Sequence, residues 1–252
     1  MSRSLRDMTN ALYSRIEAIE SFAADVSHEL KNPLTSLRSA VETMPLAKTP
    51  ESQKRLLAVI EHDVRRLDRL ISDISDASRL DAELQRQDVA PVDMRRLLTT
   101  LVTVSNETRH NNNVSVQLHF DGASFDMFAV PGHDSRLGQV ISNLLSNACS
   151  FSPEGGVVHV TCRRLRSDVE VVVDDEGPGI RADALEKIFE RFYTDRPHQG
   201  FGQNSGLGLS ISKQIIEAHA GKIWAENRTG AEDADGEPQI AGARFVVRLP
   251  AI

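Results

Sequence analysis

The segment SHELKNPL places a nucleophile, an acid–base group and an amide within two turns of one predicted helix. His28 lies midway between the apolar Val26 and Leu30, about 200° around the helix from each, so its side chain is predicted to face solvent. A neutral imidazole there offers a ring nitrogen that can attack phosphorus. The adjacent Glu29 can take or hold the other ring proton. Asn32, one turn further on the same face, can hydrogen-bond a water or a phosphoryl oxygen.

A single histidine on the exposed side of a helix, such as His28, is more often an ordinary surface residue than a nucleophile. His62 shows the ambiguity, because it also lies off the apolar stripe of its helix, between Ile60 and Val64, without a similar cluster around it. The role of His28 therefore depends on whether the rest of the chain binds a phosphoryl donor.

Two asparagines lie four residues apart in the segment DSRLGQVISNLLSNACSFSP, which has the pattern of an amphipathic helix. Asn143 and Asn147 share one face, where amide oxygens can bind Mg²⁺ and amide nitrogens can donate to phosphate. The core-facing side is apolar and consists of Leu137, Val140, Ile141, Leu144 and Leu145. Without further context the pair could equally be two solvated asparagines.

Further along, a valine-rich strand leads into the sequence DDEGPGI. A carboxylate at the end of that strand can accept a hydrogen bond from an adenine amino group. We expect Asp174 to be the solvated neighbour of this carboxylate rather than the adenine acceptor itself. Gly177 and Gly179 allow the main chain to approach a flat base closely. Such a turn is weak evidence alone, since plain loops share its composition.

The segment SGLGLSISK opens a predicted helix, and glycines just before a helix expose main-chain N–H groups that bind anions. The segment IFERFYTD, continued by residues 196–204, supplies Phe189 and Phe192 as anchors for a lid over a nucleotide. Arg191 is placed to reach a phosphate, although it could equally be solvated. The chain has no GxxxxGKS/T motif, which excludes a P-loop enzyme.

Long helices are predicted to position the histidine. Residues 12–44 contain no glycine and one proline, and their apolar residues advance in steps of four and three. After a break at residues 46–49, a second helix carries a coiled-coil seam from Leu57 onward and is predicted to end near Leu80–Glu83. The two helices form an antiparallel hairpin with one apolar side still uncovered. We therefore predict a homodimeric four-helix bundle over residues 10–82.

Beyond a predicted linker at residues 84–92, helical and strand patterns alternate. Helices are expected over residues 93–108, over residues 135–150 and after Gly206, and residues 229–242 are expected to form a mobile polar loop. Strands are predicted over residues 114–120, 125–130, 157–164, 169–174, 222–227 and 243–249. This alternation is typical of an α/β sandwich with a mixed sheet.

Composition limits the remaining possibilities. The 252 residues carry a net charge of −7, which argues against a general nucleic-acid binder. The two cysteines lack CxxC spacing, which argues against a zinc site or a disulfide framework. No apolar run approaches the roughly 18 residues that cross a bilayer, and the polar N-terminus does not resemble a signal peptide. A soluble chain is therefore expected.

Together, these segments resemble the sensor histidine kinases. SHELKNPL is similar to the H box of this family, the asparagine-rich helix to the N box, DDEGPGI to the G1 box, IFERFYTD to the F box and SGLGLSISK to the G2 box, all in the family's order. SFAADVSHELKNPLTSLRSAVET and FGQNSGLGLSISKQI are similar to the ChvG-type branch. Two positions depart from the pattern, with Ser150 where many relatives have lysine and Asn204 where many have glycine.

The resemblance implies an all-α antiparallel helical hairpin that forms a dimeric four-helix bundle, followed by an α/β-sandwich Bergerat-fold (GHKL) ATP-binding domain. Residues 1–20 would be a signalling helix, 21–83 a dimerisation and histidine-phosphotransfer domain, 84–92 a linker and 93–252 the catalytic domain. Full-length relatives lie in the bacterial inner membrane with an outside sensor, so this chain would be the cytoplasmic portion.

The resemblance also implies an activity. A protein-histidine kinase would use ATP and Mg²⁺ to phosphorylate His28, with Glu29 as base, and would pass the phosphoryl group to an aspartate of a ChvI-like response regulator. Asn32 would serve dephosphorylation of that regulator, and Asn147, with Asn143 nearby, would hold Mg²⁺. The nucleotide site would comprise Asn143, Asn147, Phe151, Asp175, Gly177, Gly179, Ile180, Arg191, Gly206, Leu207, Gly208 and Leu209.

Two other functions stay open on the sequence alone. Another ATPase of the same nucleotide-binding fold, such as a chaperone or a DNA-repair clamp, would not need the segment around His28. A non-catalytic dimeric adaptor would bind regulator or nucleotide without transferring phosphate, although the intact glycines and asparagines argue against it.

Overall fold

The computed structural model describes residues 2–86, 89–108, 113–122, 128–193, 205–232 and 238–252. They form two compact units. We call the helical part up to Asp76 the hairpin unit, and the mixed part formed by Ala77–Asp195 and Gly206–Ile252 the α/β unit. A helical hairpin followed by a mixed α/β unit confirms the predicted fold class. No helix within the described ranges is both long and apolar enough to cross a membrane.

Two long helices make up most of the hairpin unit. Helix α1 spans Ser2–Thr43, a 3-10 turn spans Met44–Leu46, and helix α2 spans Pro50–Arg86, which passes the predicted end at residues 80–83. Thr49 starts α2 as a capping residue, because its Oγ1 accepts from the Ser52 N–H at 3.2 Å while the Ser52 Oγ accepts from the Thr49 N–H at 3.3 Å.

The hairpin buries only part of its apolar surface. Pro33, Ala40 and Leu70 are buried between the helices. Several aliphatic side chains are instead more than half exposed, among them Leu34, Val41, Leu57 and Ile71. Pro33 lies inside α1 and has no N–H, so one hydrogen bond of the helix ladder is missing there.

A two-stranded antiparallel ribbon falls partly in the predicted linker. Strand β1, Ala90–Asp93, pairs with strand β3, Ala129–Gly132, and Pro91 lies opposite Pro131. Helix α2 reaches Arg86 and β1 begins at Ala90, so regular secondary structure occupies both ends of the predicted linker at residues 84–92. Proline fits here because each strand of the ribbon has an unpaired edge that needs no N–H.

The main sheet has five strands in the order β2-β4-β5-β7-β6. The β2–β4 pair is parallel and the others are antiparallel, which confirms the predicted mixed sheet. The strand bounds are Ser115–Asp121 for β2, Val157–Arg164 for β4, Asp168–Asp174 for β5, Lys222–Glu232 for β6 and Pro238–Pro250 for β7.

The predicted extent of the loop, residues 229–242, is wrong at both ends. Strand β6 continues to Glu232 and β7 begins at Pro238, with Thr229 paired to Ile240. Main-chain hydrogen bonds hold this extension, and they depend little on side-chain polarity. Residues 233–237 lie outside the described part of the chain.

Three α-helices belong to the described part of the α/β unit, and their apolar faces form its core. Helix α3 spans Met94–Glu107, α4 spans Asp134–Phe151 and α5 spans Gly208–Ala218. Asp93 caps α3 by accepting from the N–H groups of Arg95 and Arg96. The side chains of Leu144 on α4, Ile215 on α5 and Val171 on β5 are at most 1% exposed.

A buried carboxylate links three strands of the sheet. Glu170 on β5 is 1% exposed and accepts from Arg163 Nε on β4 at 2.6 Å and from Arg248 Nη2 on β7 at 2.6 Å. Burial raises the pKa of Glu170, but hydrogen bonds and charge from Arg248 and Arg163 outweigh it, so the pKa lies below its usual value. The paired, ionised form is thus favoured by folding.

Replacing the carboxylate tests this link. We expect Glu170→Gln to lower the free energy of unfolding by about 2 kcal/mol at pH 7, because a buried hydrogen-bonded charge is lost. Because the pKa of Glu170 is lower in the folded than in the unfolded protein, the ionised carboxylate stabilises the fold above the unfolded pKa of about 4.3. The difference in unfolding free energy between wild type and Glu170→Gln should therefore shrink below that pH. Trp224 is the one tryptophan of the sequence and lies in β6, so its fluorescence during urea unfolding reports this unit.

Asp183→Asn is the matched control, because it breaks an exposed pair with Arg181. It should leave the unfolding midpoint unchanged. Equal midpoints for wild type and Glu170→Gln at pH 7 would contradict the structural role of Glu170.

Candidate functional site

His28 lies on the exposed side of α1, as the helical phase predicted. Its ring makes no hydrogen bond within the described part of the chain, so a ring nitrogen is accessible to a reactant. Asn32 is also exposed, one turn further along α1. The two side chains thus share a solvent-facing surface on one helix.

Glu29, next to His28, is engaged by the other helix of the hairpin. Its Oε2 accepts from Arg66 Nη2 at 2.9 Å, and the two side chains are 24% and 20% exposed. The sequence reading did not find Arg66, because the antiparallel register that brings residue 66 beside residue 29 depends on the hairpin turn. No hydrogen bond joins Glu29 to His28 among the described residues.

Asp175 directly follows β5 and is the one carboxylate of the predicted nucleotide site, and it is 2% exposed. Its Oδ1 accepts from the N–H groups of Gly177 at 2.9 Å and Ala243 at 2.8 Å. Its Oδ2 makes no hydrogen bond among the described residues. One oxygen therefore holds the main chain and the other remains available to accept from a ligand.

Burial raises the pKa of Asp175, against the opposing effect of the N–H groups of Ala243 and Gly177 and of the Arg228 charge. A carboxylate that is shielded from water in this way makes a stronger hydrogen bond to a polar ligand than an exposed one. The position and polarity suit an amino donor such as that of adenine.

Asp174, expected to be a solvated neighbour, is in fact paired. Both of its oxygens accept from Arg244, at 2.7 and 2.8 Å. Asp174 is thus committed to the sheet, which leaves Asp175 as the carboxylate with a free acceptor.

The turn after β5 is held by a residue that the sequence reading missed. Asn227 on β6 accepts from the Ile180 N–H at 2.7 Å and donates to the Ile180 carbonyl at 2.7 Å. These paired bonds fix the turn that contains Gly177 and Gly179. The available signal was an amide at the end of a predicted strand, which is common and therefore weak.

Two further residues on the neighbouring strands support Asp175. Arg228 Nη1 donates to the Asp175 carbonyl at 2.6 Å. Gly242 has a φ of +140°, and a Cβ there would collide with the same carbonyl, so only glycine fits. Gly242 was assigned to a loop because nothing local marks this long-range contact.

The helix α4 presents the two asparagines toward α5. Asn143 Nδ2 donates to the Gly208 carbonyl at 3.2 Å and lies 3.4 Å from Ser212 Oγ, so its amide nitrogen ties the two helices and its oxygen is left for a ligand. Asn147 lies one turn further on the same helix and is partly exposed. Ser150 donates to the Asn147 carbonyl at 2.8 Å, and Phe151 is 39% exposed at the end of α4.

The chain reverses tightly before α5. Gly206 has a φ of +73°, and its carbonyl accepts from the Phe192 N–H at 2.8 Å. A Cβ at Gly206 would lie 2.7 Å from the Phe192 main chain, so a side chain would break this contact. Gly208 begins α5, Leu209 is partly exposed, and the Leu207 side chain is 1% exposed, so Leu207 can offer a ligand only its main chain.

The predicted lid is only partly described. Phe189 is buried at 9% exposed, in keeping with an anchor, and Arg191 is exposed. Residues 194–204, which include Asn204 and most of the expected lid, lie outside the described residues.

These elements together offer groups that can bind a purine nucleotide with a divalent cation. The neutral amide oxygens of Asn143 and Asn147 are ligands that suit Mg²⁺ when phosphate oxygens supply the charge. No group of three His, Cys, Asp or Glu residues that could hold a metal occurs among the described residues. The chain's donor set therefore fits a cation that binds together with phosphates.

Comparisons with known proteins agree with this geometry. Residues 18–83 match the family described as the His Kinase A (phospho-acceptor) domain, and residues 132–252 match the Histidine kinase-, DNA gyrase B-, and HSP90-like ATPase family. The chain is 59% identical to the sensor protein ChvG of Rhizobium meliloti (strain 1021), over 100% of this chain and 44% of the relative. It thus spans less than half the length of that relative.

Two solved structures extend the likeness. The catalytic domain of the histidine kinase ThkA is 30% identical with a TM-score of 0.53, and the match covers 65% of this chain and 96% of that one. ThkA in complex with the response regulator protein TrrA is 25% identical with a TM-score of 0.71, and the match covers 95% of this chain and 64% of that one. The chain therefore belongs to the sensor histidine kinase family, and over its whole length it is similar to the ChvG type.

Proposed function

We propose that this chain phosphorylates its own His28 with ATP and passes the phosphoryl group to an aspartate of a response regulator. The observation that carries this proposal is an exposed, unbonded His28 within the phospho-acceptor match of a chain that also contains the ATPase unit. A chaperone or DNA-repair clamp of the same nucleotide-binding fold has no use for that histidine.

The reaction is an in-line displacement at the γ-phosphorus of ATP. A ring nitrogen of His28 forms the new N–P bond while the bond to the β,γ-bridging oxygen breaks, and that oxygen leaves with its electron pair as part of ADP. Glu29 holds or accepts the proton of the other ring nitrogen. Such transfers have a loose transition state, so catalysis rests mainly on positioning and charge neutralisation.

The α/β unit supplies the nucleotide site. Asp175 Oδ2 accepts from the adenine amino group, the turn through Gly177 and Gly179 lies against the base, and the main chain at Gly206 and Gly208 faces the phosphates. Asn147 and Asn143 would hold Mg²⁺, which neutralises phosphate charge when it is bound. Arg191, Phe151, Ile180, Leu207 and Leu209 complete the proposed contacts.

The partner is a response regulator, by analogy with the complex of ThkA and TrrA. Similarity to ChvG favours a regulator of the ChvI type. Asn32, exposed one turn from His28, would orient a water that hydrolyses the regulator's phosphoaspartate. The same surface would then serve both transfer and removal.

We further propose that the hairpin pairs with a second copy. Leu34, Val41, Leu57 and Ile71 are between 53% and 58% exposed, and a four-helix bundle would remove this apolar surface from water. In the full-length protein the bundle would lie on the cytoplasmic side of a membrane-anchored sensor, with residues 1–20 as the signalling helix, residues 21–83 as the phosphotransfer domain and the catalytic domain from residue 93 onward.

The first test uses γ-labelled ATP. Wild type should acquire acid-labile, alkali-stable label, and His28→Ala should acquire none because the nucleophile is gone. His62→Ala is the matched control, since it removes a partly exposed helical histidine that has only a 3.3 Å contact with Asp63, and it should label normally. Label retained on His28→Ala would overturn the proposed function.

The second test separates transfer from removal. Asn32→Ala should autophosphorylate at the wild-type rate, while dephosphorylation of a phosphorylated regulator should slow by about tenfold, because the water loses its orienting amide. An unchanged dephosphorylation rate would refute this role for Asn32.

The third test concerns Asp175. Asp175→Asn keeps an Oδ1 acceptor for the two main-chain N–H groups but presents an NH₂ donor to adenine, so affinity for a fluorescent ATP analogue should fall by about a hundredfold. The raised pKa means that the fold prefers the protonated carboxyl, and stability declines as pH rises from the ordinary aspartate pKa through the raised value. Removing the charge should therefore leave unfolding at pH 7 unchanged or improved, as followed by Trp224 fluorescence.

Asp174→Asn is the control for this pair of results. It breaks the bidentate contact with Arg244 and should cost stability while nucleotide affinity stays within about threefold of wild type. If both variants bind nucleotide equally well, Asp175 is not the adenine acceptor.

A further inference from the structure

The ion pair between Glu29 and Arg66 connects the two helices of the hairpin beside the reactive histidine. Arg66 Nη2 donates to Glu29 Oε2 at 2.9 Å, and both side chains are at least three-quarters buried. The two residues are 37 positions apart in the sequence, so the contact exists only when the hairpin is in its observed register.

Stability alone does not account for Arg66. Its Nε is buried and has no hydrogen-bond partner among the described residues. Buried donors without partners are rare and costly, and buried ion pairs often stabilise no more than apolar residues of similar size. The neighbouring inward positions of α2 are in fact apolar, as at Leu67 and Leu70.

The contact uses only part of the Glu29 carboxylate. Arg66 binds Oε2, and Oε1 makes no hydrogen bond among the described residues. His28 precedes Glu29 directly in α1. A carboxylate held through one oxygen by an arginine has a fixed orientation and keeps the second oxygen as an acceptor for an N–H group.

We infer that Arg66 is the positioning residue that orients Glu29 toward the ring of His28 during phosphorylation. Arg66 does not touch the reacting atoms and acts only through the carboxylate. The inference rests on the proposed function, in which Glu29 holds or accepts the ring proton. It adds a residue on the second helix to the reaction and makes the rate depend on the register of the hairpin.

A second carboxylate affects the choice of variants. Asp63 lies three residues before Arg66 on α2, is 6% exposed, and its Oδ2 is buried without a hydrogen-bond partner among the described residues. Residues at this spacing share one helix face. Arg66 therefore shares a helix face with a buried carboxylate in addition to its contact with Glu29, and a neutral replacement changes the charge on that face.

The experiment measures autophosphorylation of the whole chain under saturating and limiting ATP. Arg66→Gln should lower kcat by about tenfold while the KM for ATP stays within about twofold, because orientation of the base is lost and the nucleotide site is untouched. Arg65→Gln is the matched control. Arg65 belongs to the same helix but is 73% exposed and paired with Glu61 one turn earlier, so its loss should leave both constants unchanged.

A double-variant cycle shows whether Arg66 acts through Glu29. Glu29→Gln should lower kcat by about a hundredfold, and adding Arg66→Gln to it should change kcat by less than about twofold. Arg66→Lys should restore most of the rate, since an ammonium group can still hold the carboxylate. A full tenfold effect of Arg66→Gln in the Glu29→Gln background would overturn the inference, because a merely structural role predicts additivity.

Failure of the inference is distinguishable from failure of the proposed function. Label on His28→Ala would contradict the proposed function. A wild-type rate for Glu29→Gln would show that Glu29 is not the base, and would thereby contradict the inference about Arg66 as well. A wild-type rate for Arg66→Gln with an impaired Glu29→Gln overturns the inference alone. If Arg66→Gln does not fold, Arg66→Met takes its place, because it keeps an unbranched apolar stem and introduces no unpaired polar atom. A wild-type kcat for a folded Arg66→Met is equally decisive against the inference.

Discussion

The carboxylate of Asp175, with one oxygen bound by the main chain and the other unbound among the described residues, is the constraint around which the nucleotide-binding end of the α/β unit is built. Its Oδ1 accepts from the N–H groups of Gly177 and Ala243, and so joins the turn after β5 to the part of β7 that lies beside β5. Arg228 donates a hydrogen bond to the main-chain carbonyl of Asp175, and Gly242 leaves room for that carbonyl because it has no Cβ. Folding thus fixes one oxygen so that the other has a defined direction before any ligand arrives.

Comparison with Glu170 shows how the same chemical group serves a different purpose. Both carboxylates are on or next to β5 and nearly inaccessible, at 1% and 2% exposed. Glu170 is saturated by Arg163 and Arg248, and its pKa is lowered, whereas burial dominates at Asp175 and raises its pKa. A buried acid with all its acceptors occupied supports the sheet, while one with an acceptor left over is suited to binding.

Periodicity and motif order allowed the sequence to predict most of the fold and the elements on which the proposed site residues lie. The apolar steps of α1 placed His28 on the outside, and the glycine and asparagine segments were assigned to the correct elements. Contacts that depend on register or on main-chain pairing were not predictable in this way. Arg66 meets Glu29 only through the hairpin, Gly242 is required by a carbonyl far away in sequence, and the ends of β6 and β7 are joined by backbone bonds despite their polar composition.

Pro33 gives α1 a mechanical property that bears on the signalling role proposed for this helix. At a rise of about 1.5 Å per residue, a helix from Ser2 to Thr43 is a lever some 60 Å long. Because Pro33 has no N–H, the Glu29 carbonyl loses its usual donor four residues on, and resistance to bending is lowest at that turn. A torque applied at the N-terminal end of α1 would therefore be relieved first at the turn of residues 29–33, directly after the proposed phospho-acceptor His28.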